Sequence, residues 1–209
     1  MKIIIFGATG TIGTQLVEQA LAQGHQVTAV TRNPAGYTIK HNNLRAHEAD
    51  IFDEASVGSV ISGHDAVICA IGSSLTAKGN PRALGTKNIV AAMKRTGVKR
   101  LVSLSAYGVS DSRAQLPPLY RYFIIPVILG RVFADHAVQE SHIKPSSLDW
   151  VIVRPANFVK TSLSGPYKHG FTKADPSLTL KIMPSEVASF MLQQLSDDTY
   201  LRQTPAISH

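Results

Sequence analysis

Over the first thirty residues the apolar positions change pattern twice. Ile3 to Phe6 is an unbroken apolar run, which predicts a buried strand over residues 2–6. Ile12, Leu16, Ala20 and Leu21 then share one face of a helix predicted over 11–23, with Gly24 as its stop. Val27, Ala29 and Val30 give a second strand ending at Thr31-Arg32. Strand, helix and strand in about thirty residues make a βαβ unit. The alternation continues with a weak third strand over 43–49 and a helix over 54–61 capped by Asp53 or Ser56. The apolar run Ala66–Ile71 reads as a fourth strand and 82–96 as a helix. Arg100–Ser105 and Leu148–Val153 are the fifth and sixth strands. Together they predict an α/β fold, a Rossmann-type doubly wound parallel sheet with helices on both faces.

Two stretches do not follow this rhythm. Residues 110–118 are polar and proline-bearing, so they read as a loop. Residues 120–133 are strongly apolar but interrupted by Arg121, Pro126, Gly130 and Arg131, and too short to span a bilayer as one helix. Three readings stay open: a kinked helix on the core, a lid or pocket wall, or a dimer or membrane-surface contact. A helix is expected from Ala134 to about Ile143. The tail reads as irregular to Gly170, with a short strand over 178–182, a helix from Pro184 to Leu195 and an extended piece at 204–207. The expected organisation is one domain over 1–209, with 110–135 as a lid or insertion and 156–183 as a small C-terminal substrate-side extension.

Composition narrows the class. With 44% hydrophobic and 17% charged residues among 209, the chain is globular and large enough for one substantial core. Cys69 is the only cysteine, so no intrachain disulfide forms, and its place in an apolar run reads as core packing. Met1-Lys2 leads straight into a strand without a signal-like apolar segment, and a cytoplasmic location is the expectation. The net charge is +7, yet there is no Lys/Arg run of five and no aromatic-basic interleaving. Nucleic acid is therefore not expected, and the charge is either a solvated surface or a rim around an anionic ligand. No metal site and no transmembrane segment are expected, and a monomer or a dimer is equally compatible.

The candidate chemistry lies at the strand ends. Gly7, Gly10 and Gly13 form a G-x-x-G-x-x-G turn between the first strand and the first helix. Such a turn lets a pyrophosphate approach the backbone at a helix N-terminus. No Gly-Lys-Ser/Thr follows, so it is not a P-loop. At the end of the second strand, where a carboxylate would bind the ribose 2′-OH of NAD, stand Thr31, Arg32 and Asn33. The planar fork of Arg32 suits a 2′-phosphate, the alternative being an ordinary exposed arginine. Asp50 and Ile51, Gly72-Ser73-Ser74 and Ser105 also fall at carboxyl ends, where such sheets place ligands.

Four segments carry a family resemblance. They are Gly7-Ala-Thr-Gly-Thr-Ile-Gly13, Gly85 to Lys94, Gly97 to Ser105, and Leu148-Asp-Trp-Val-Ile-Val-Arg-Pro155. The chain resembles the atypical short-chain dehydrogenase/reductases over nearly its whole length. It is most similar to the small NAD(P)H-binding group of flavin reductase/biliverdin reductase B type, with Ser162–Tyr167 and Met183–Leu192 carrying the closer likeness. The resemblance implies Thr9, Gly10, Thr11 and Ile12 on the pyrophosphate of NADP(H), Arg32 on its 2′-phosphate and Asp50-Ile51 at the adenine. It implies Ile71, Gly72 and Ser73 on the ribose side, Ser105 near the nicotinamide, and Pro155, Ala156 and Asn157 around the nicotinamide pocket. Ser105 and His136 are the candidate catalytic residues. Asp135-His136 resembles an Asp-His pair opening an active-site helix, the alternative being a helix-surface pair.

The chain departs from the classical family pattern in one respect: no tyrosine is followed four positions later by lysine, the usual acid/base unit. That implies a reductase passing hydride to an acceptor already electrophilic by conjugation, such as flavin, quinone or tetrapyrrole. Ser105 is then the expected hydrogen-bond partner of the nicotinamide or acceptor, or simply a polar residue finishing a strand. The alternative is a non-catalytic NADP(H) sensor of the NmrA-like type. An epimerase or dehydratase needs the missing pair.

Overall fold

The computed structural model describes residues 1–73 and 79–209; Ser74 lies outside the described residues. Chain order is β1 (Lys2–Phe6), α1 (Thr11–Ala22), β2 (Gln26–Thr31), β3 (Leu44–Glu48), α2 (Glu54–Ile61), β4 (Ala66–Cys69), α3 (Pro81–Thr96) and β5 (Arg100–Leu104). A 3₁₀ turn (Ser110–Gln115) and a π-helix (Tyr120–Leu129) lead into α4 (Gly130–Ile143). Then come β6 (Asp149–Pro155), β7 (Asn157–Phe158), β8 (Lys168–His169), β9 (Lys181–Ile182), α5 (Pro184–Gln193) and β10 (Ala206–Ser208).

The main sheet has the order β3-β2-β1-β4-β5-β6-β10-β8. Only β8 runs antiparallel to its neighbour, β10. Strand order reverses at β1, which lies between β2 and β4, so the ligand crevice of a doubly wound sheet opens beyond Phe6 and Cys69. Both faces are covered, which is why β1 reads as a continuous apolar run. Ile3 and Ile5 pack with α1 and α5 on one side, and Ile4 and Phe6 with α2 and α3 on the other.

The glycines at the turn have separate reasons. Gly7 has φ +83°, and a Cβ there would collide with the Ala70 carbonyl; a Cβ on Gly13 would collide with the carbonyl of Gly7. These two let β1, β4 and α1 pack closely. Gly10 has an ordinary extended backbone, φ −79° and ψ 170°, and room for a side chain.

Several expectations are corrected. Of the two cap candidates Asp53 caps α2, its Oδ1 accepting from Ala55 N–H at 2.9 Å, and the Ser56 hydroxyl instead accepts from the Asp50 amide. The loop over 110–118 contains a 3₁₀ turn. The helix expected from Ala134 begins at Gly130, because glycine continues the π-helix without a break. The strand expected over 178–182 is only β9, and the irregular stretch to Gly170 holds β7 and β8, whose pairing partners lie far along the chain. Residues 120–129 pack on a small cluster of Tyr107, Leu116 and Ala206 through Ile125, as a π-helix. Pro126 has no N–H and crowds the carbonyl one turn back, and the wide π turns accommodate it. Only Ile125 of this segment is buried. Among the described residues, no helix is long and apolar enough to cross a membrane.

Candidate functional site

Two cavities meet at the crevice. One, of about 740 Å³, is lined by Gly7, Thr9, Thr31, Arg32, Asp50, Ile51 and Phe52. The other, of about 400 Å³, is lined by Ile12, Ser105, Tyr107, Arg82, His136, Pro155, Ala156 and Asn157. Gly10, Thr11, Ile71, Gly72 and Ser73 border both, so the two form one cleft pinched at the glycine turn. Of the candidate residues, only Gly13 lines neither cavity; it serves the packing beneath them.

At the pinch, α1 begins without a side-chain cap among the described residues. Gly10 is its N-cap with no side-chain cap bond, and no acidic residue lies in the first turn. The first bond of the helix runs from Thr14 N–H to the Gly10 carbonyl, 2.9 Å, so the amides of Thr11, Ile12 and Gly13 are not used by the helix itself. Three amide donors at the positive end of a helix, beside a glycine whose Cβ would fill the crevice, fit a pyrophosphate.

In the larger cavity, Arg32 is exposed and, among the described residues, pairs with no carboxylate. The Asp50 carboxylate is turned inward on its own loop, accepting from Phe52 N–H at 2.9 Å. Phe52, half exposed on this cavity wall, was not expected from sequence. An aromatic residue next to a turn carries no periodic signal.

The smaller cavity has an apolar side and a polar floor. Leu116, Tyr120, Ile125, Leu129, Val132 and Phe133 wall it, so the segment around the π-helix is a pocket wall. The floor is a buried network. Ser105 donates from Oγ to Glu140 Oε1 at 2.8 Å. Arg154 clamps the same carboxylate through Nε at 2.8 Å and Nη2 at 2.6 Å, and both side chains are 1% exposed. Arg154 also reaches Asp111, and Lys144 Nζ lies 2.9 Å from Glu140 Oε2. Burial alone would raise the Glu140 carboxyl, but the bonds and charge of Arg154, with Lys144 and Ser105, hold it below the ordinary range. Glu140 is therefore an ionised acceptor, and the Ser105 proton is already committed to it.

His136 and Asp135 neither open a helix nor lie on its surface; both are buried on the second turn of α4. Asp135 caps α3 from outside, accepting from Ala83 N–H at 2.9 Å and Arg82 N–H at 3.1 Å. Asn80 at the N-cap makes no side-chain cap bond, so the Asp135 carboxylate supplies it. Gln139 spends its amide on Thr86 and Ser103, each 3.2 Å, so its carbonyl faces His136 Nδ1 at 2.9 Å. His136 therefore carries its proton on Nδ1 and keeps Nε2 as an acceptor. Burial, with the charge of Arg82, pushes its pKa down to about 4. Near pH 7 it is neutral and gives no acid proton to the cavity.

That shift sets a stability signature. Between the unfolded value of 6.5 and about 4, the unfolded chain holds one more proton than the folded one. Stability from this group is full above pH 6.5 and falls as pH drops, on the order of 3 kcal/mol by pH 4. Urea unfolding of the native protein and His136→Asn at both ends of this range is expected to show the gap between them changing by that amount. A gap independent of pH would contradict the buried neutral imidazole.

Tyr107 and Tyr120 line the cavity, but no lysine does among the described residues. Burial and then Asp175 raise the Tyr107 pKa, the opposite of what a tyrosine-lysine acid needs, and its hydroxyl lies 3.3 Å from Gln115 Oε1. Cys69 is fully buried and its thiol pKa is raised, as a packed core residue requires.

Residues 7–198 match the model of a family described as NAD(P)H-binding. An uncharacterised chloroplastic protein of Arabidopsis thaliana is 30% identical over 165 residues, 74% of this chain and 58% of that protein. A (4-alkanoyl-5-oxo-2,5-dihydrofuran-3-yl)methyl phosphate reductase of Streptomyces griseus is 24% identical over 162 residues, 78% of this chain and 50% of that protein. The chain thus spans about half the length of these two relatives. Among solved structures, ChuY, an anaerobillin reductase of Escherichia coli O157:H7, superposes with a TM-score of 0.76 at 18% identity, covering 99% of this chain and 96% of that one. With the family match, the glycine turn and the sheet order in agreement, the chain belongs to the NAD(P)H-binding family and has a Rossmann-type fold.

Proposed function

We propose that the chain is an NADPH-dependent reductase acting on a flat conjugated acceptor, such as a flavin, quinone or tetrapyrrole. The observation that carries this reading is the second cavity. It is walled by apolar and aromatic side chains, adjoins the glycine turn, and holds no tyrosine-lysine pair among its lining residues. NADPH, when bound, supplies a hydride from C4 of its nicotinamide. The chain supplies position and dryness. The Thr11 to Gly13 amides hold the pyrophosphate, Arg32 the 2′-phosphate, Asp50, Ile51 and Phe52 the adenine, and Ser73 the ribose side. Pro155, Ala156 and Asn157 line the nicotinamide end with Ser105. Ser105, held by Glu140, accepts through its free lone pair from a carboxamide N–H. His136 Nε2 accepts in the same way from a donor on the ligand. Neither side chain delivers a proton, so the proton comes from solvent, and the cavity-facing Leu116, Tyr120, Ile125, Leu129, Val132 and Phe133 set how much solvent reaches the acceptor.

The reading is tested by NADPH oxidation against a panel of flavins, quinones and linear tetrapyrroles. Turnover with at least one and none with simple ketones or alcohols is expected. Tight NADPH binding with no turnover on any member would favour the sensor, which shares the first cavity but needs no use for the second.

Selectivity is tested separately. The native protein is expected to bind NADPH more tightly than NADH, and Arg32→Ala to remove about tenfold or more of that preference, the worth of a charge-assisted bond of roughly 1.5–3 kcal/mol. Equal native affinities would remove the 2′-phosphate assignment.

A further inference from the structure

The π-helix has two apolar faces, and the cavity uses one of them. Tyr120, Ile125 and Leu129 face the cavity. Leu119, Phe123 and Val127 recur at four-residue intervals and, with Tyr122 and Ile128 beside them, face away from the cavity, every one more than half exposed, up to 67% for Tyr122. Most exposed large apolar residues elsewhere stand singly, whereas these five come from ten consecutive positions. Such a concentration marks a contact surface.

Charge decides what covers it. From Pro117 to Ala134 the chain has Arg121 and Arg131 and no acidic residue. Arg131 is exposed, and the Arg121 guanidinium lies 5.1 Å from the Tyr122 ring centre, at the patch itself. The whole chain carries +7. A second copy meeting this patch across a two-fold axis would set arginines against arginines with no carboxylate from the same segment to answer them. An anionic lipid surface answers both features, since tyrosine, phenylalanine and aliphatic side chains enter the interface while arginines meet the head groups.

We propose that residues 119–131 dock the protein on the surface of an anionic bilayer, without crossing it. Phe123 and Ile128 enter the interface, and Arg121 and Arg131 bind head-group phosphates. The docking is independent of whether the chain is a reductase, because none of these four side chains lines the cofactor cleft.

The test is co-sedimentation with vesicles of phosphatidylglycerol and phosphatidylcholine in equal parts, and with phosphatidylcholine alone. The native protein is expected to bind the anionic vesicles and leave them at high salt. Phe123→Glu/Ile128→Glu is expected to abolish binding while keeping the native circular dichroism and NADPH affinity, both positions being exposed. Arg121→Gln/Arg131→Gln, which leaves the apolar face intact, is expected to weaken binding about fivefold per arginine. Three results overturn the proposal: no binding of the native protein at low salt; salt-sensitive binding unchanged in Phe123→Glu/Ile128→Glu, which is general cationic adhesion; or a sedimentation-velocity dimer dispersed by that variant with no vesicle binding, which makes the patch a self-association face.

Discussion

Gly10→Val is expected to weaken NADPH binding about a thousandfold while the chain still folds. The predicted loss corresponds to two charge-assisted amide bonds at roughly 2 kcal/mol each. The variant separates binding from folding because Gly10 differs from its two neighbours in the motif. Its backbone angles suit any residue, and the nearest atom to an added Cβ is the Gly7 carbonyl oxygen at 3.4 Å. The side chain would project where the cleft narrows and both cavities share their border. A branched residue at a helix N-cap costs about 1 kcal/mol, lowering the melting temperature by about 2–4 °C. Valine at Gly7 or Gly13 would instead strike backbone and disrupt the turn. Fluorescence titration with NADPH, with a thermal melt alongside, reads both halves; native affinity in Gly10→Val would remove the pyrophosphate from this turn.

Glu140→Ala is expected to cost about 3–5 kcal/mol of stability, because it leaves the buried Arg154 charge without its main partner. Asp111 remains, but its side chain is two-thirds exposed and holds the guanidinium only from the outer side. Glu140→Gln keeps the side-chain volume and one accepting oxygen, with its NH2 set against the remaining donors, and is expected to lose less than the alanine variant. The alanine variant also releases the Ser105 hydroxyl, so NADPH affinity is expected to fall in whatever fraction stays folded. Urea unfolding checks the first effect; a loss below about 1 kcal/mol would mean that Arg154 is satisfied without Glu140.

The half of the site built by backbone was legible in the sequence, and the half built by distant side chains was not. Gly7, Gly10 and Gly13 announce the turn because glycine spacing between a strand and a helix has few other uses. Arg32, Asp50, Gly72 and Ser105 were placed by one rule, that ligands gather at the carboxyl ends of parallel strands. Glu140, Arg154, Asp111 and Lys144 come from three separated segments, and nothing in their spacing says that they meet. The N-cap of α3 was misleading: Asn80 before Pro81 reads as an ordinary cap, yet its side chain makes no cap bond and the Asp135 carboxylate supplies one from α4. Arg82, which reaches Ser73 and Asp135 on the cavity side, was missed for the same reason. The π-helix was unreadable as such, since its apolar positions serve two surfaces at once and so show neither helical nor strand period.

On the proposed reading one cleft holds the whole cofactor, with its nicotinamide in the apolar cavity beside Ser105. A crystal structure of the protein with NADP⁺ tests it most directly. The adenine ribose phosphate is expected at Arg32, the pyrophosphate on the Thr11 to Gly13 amides, and the nicotinamide ring between Pro155–Asn157 and the wall formed by Leu129 and Phe133. A nicotinamide lying outside that cavity, or a pyrophosphate away from Gly10, would contradict it.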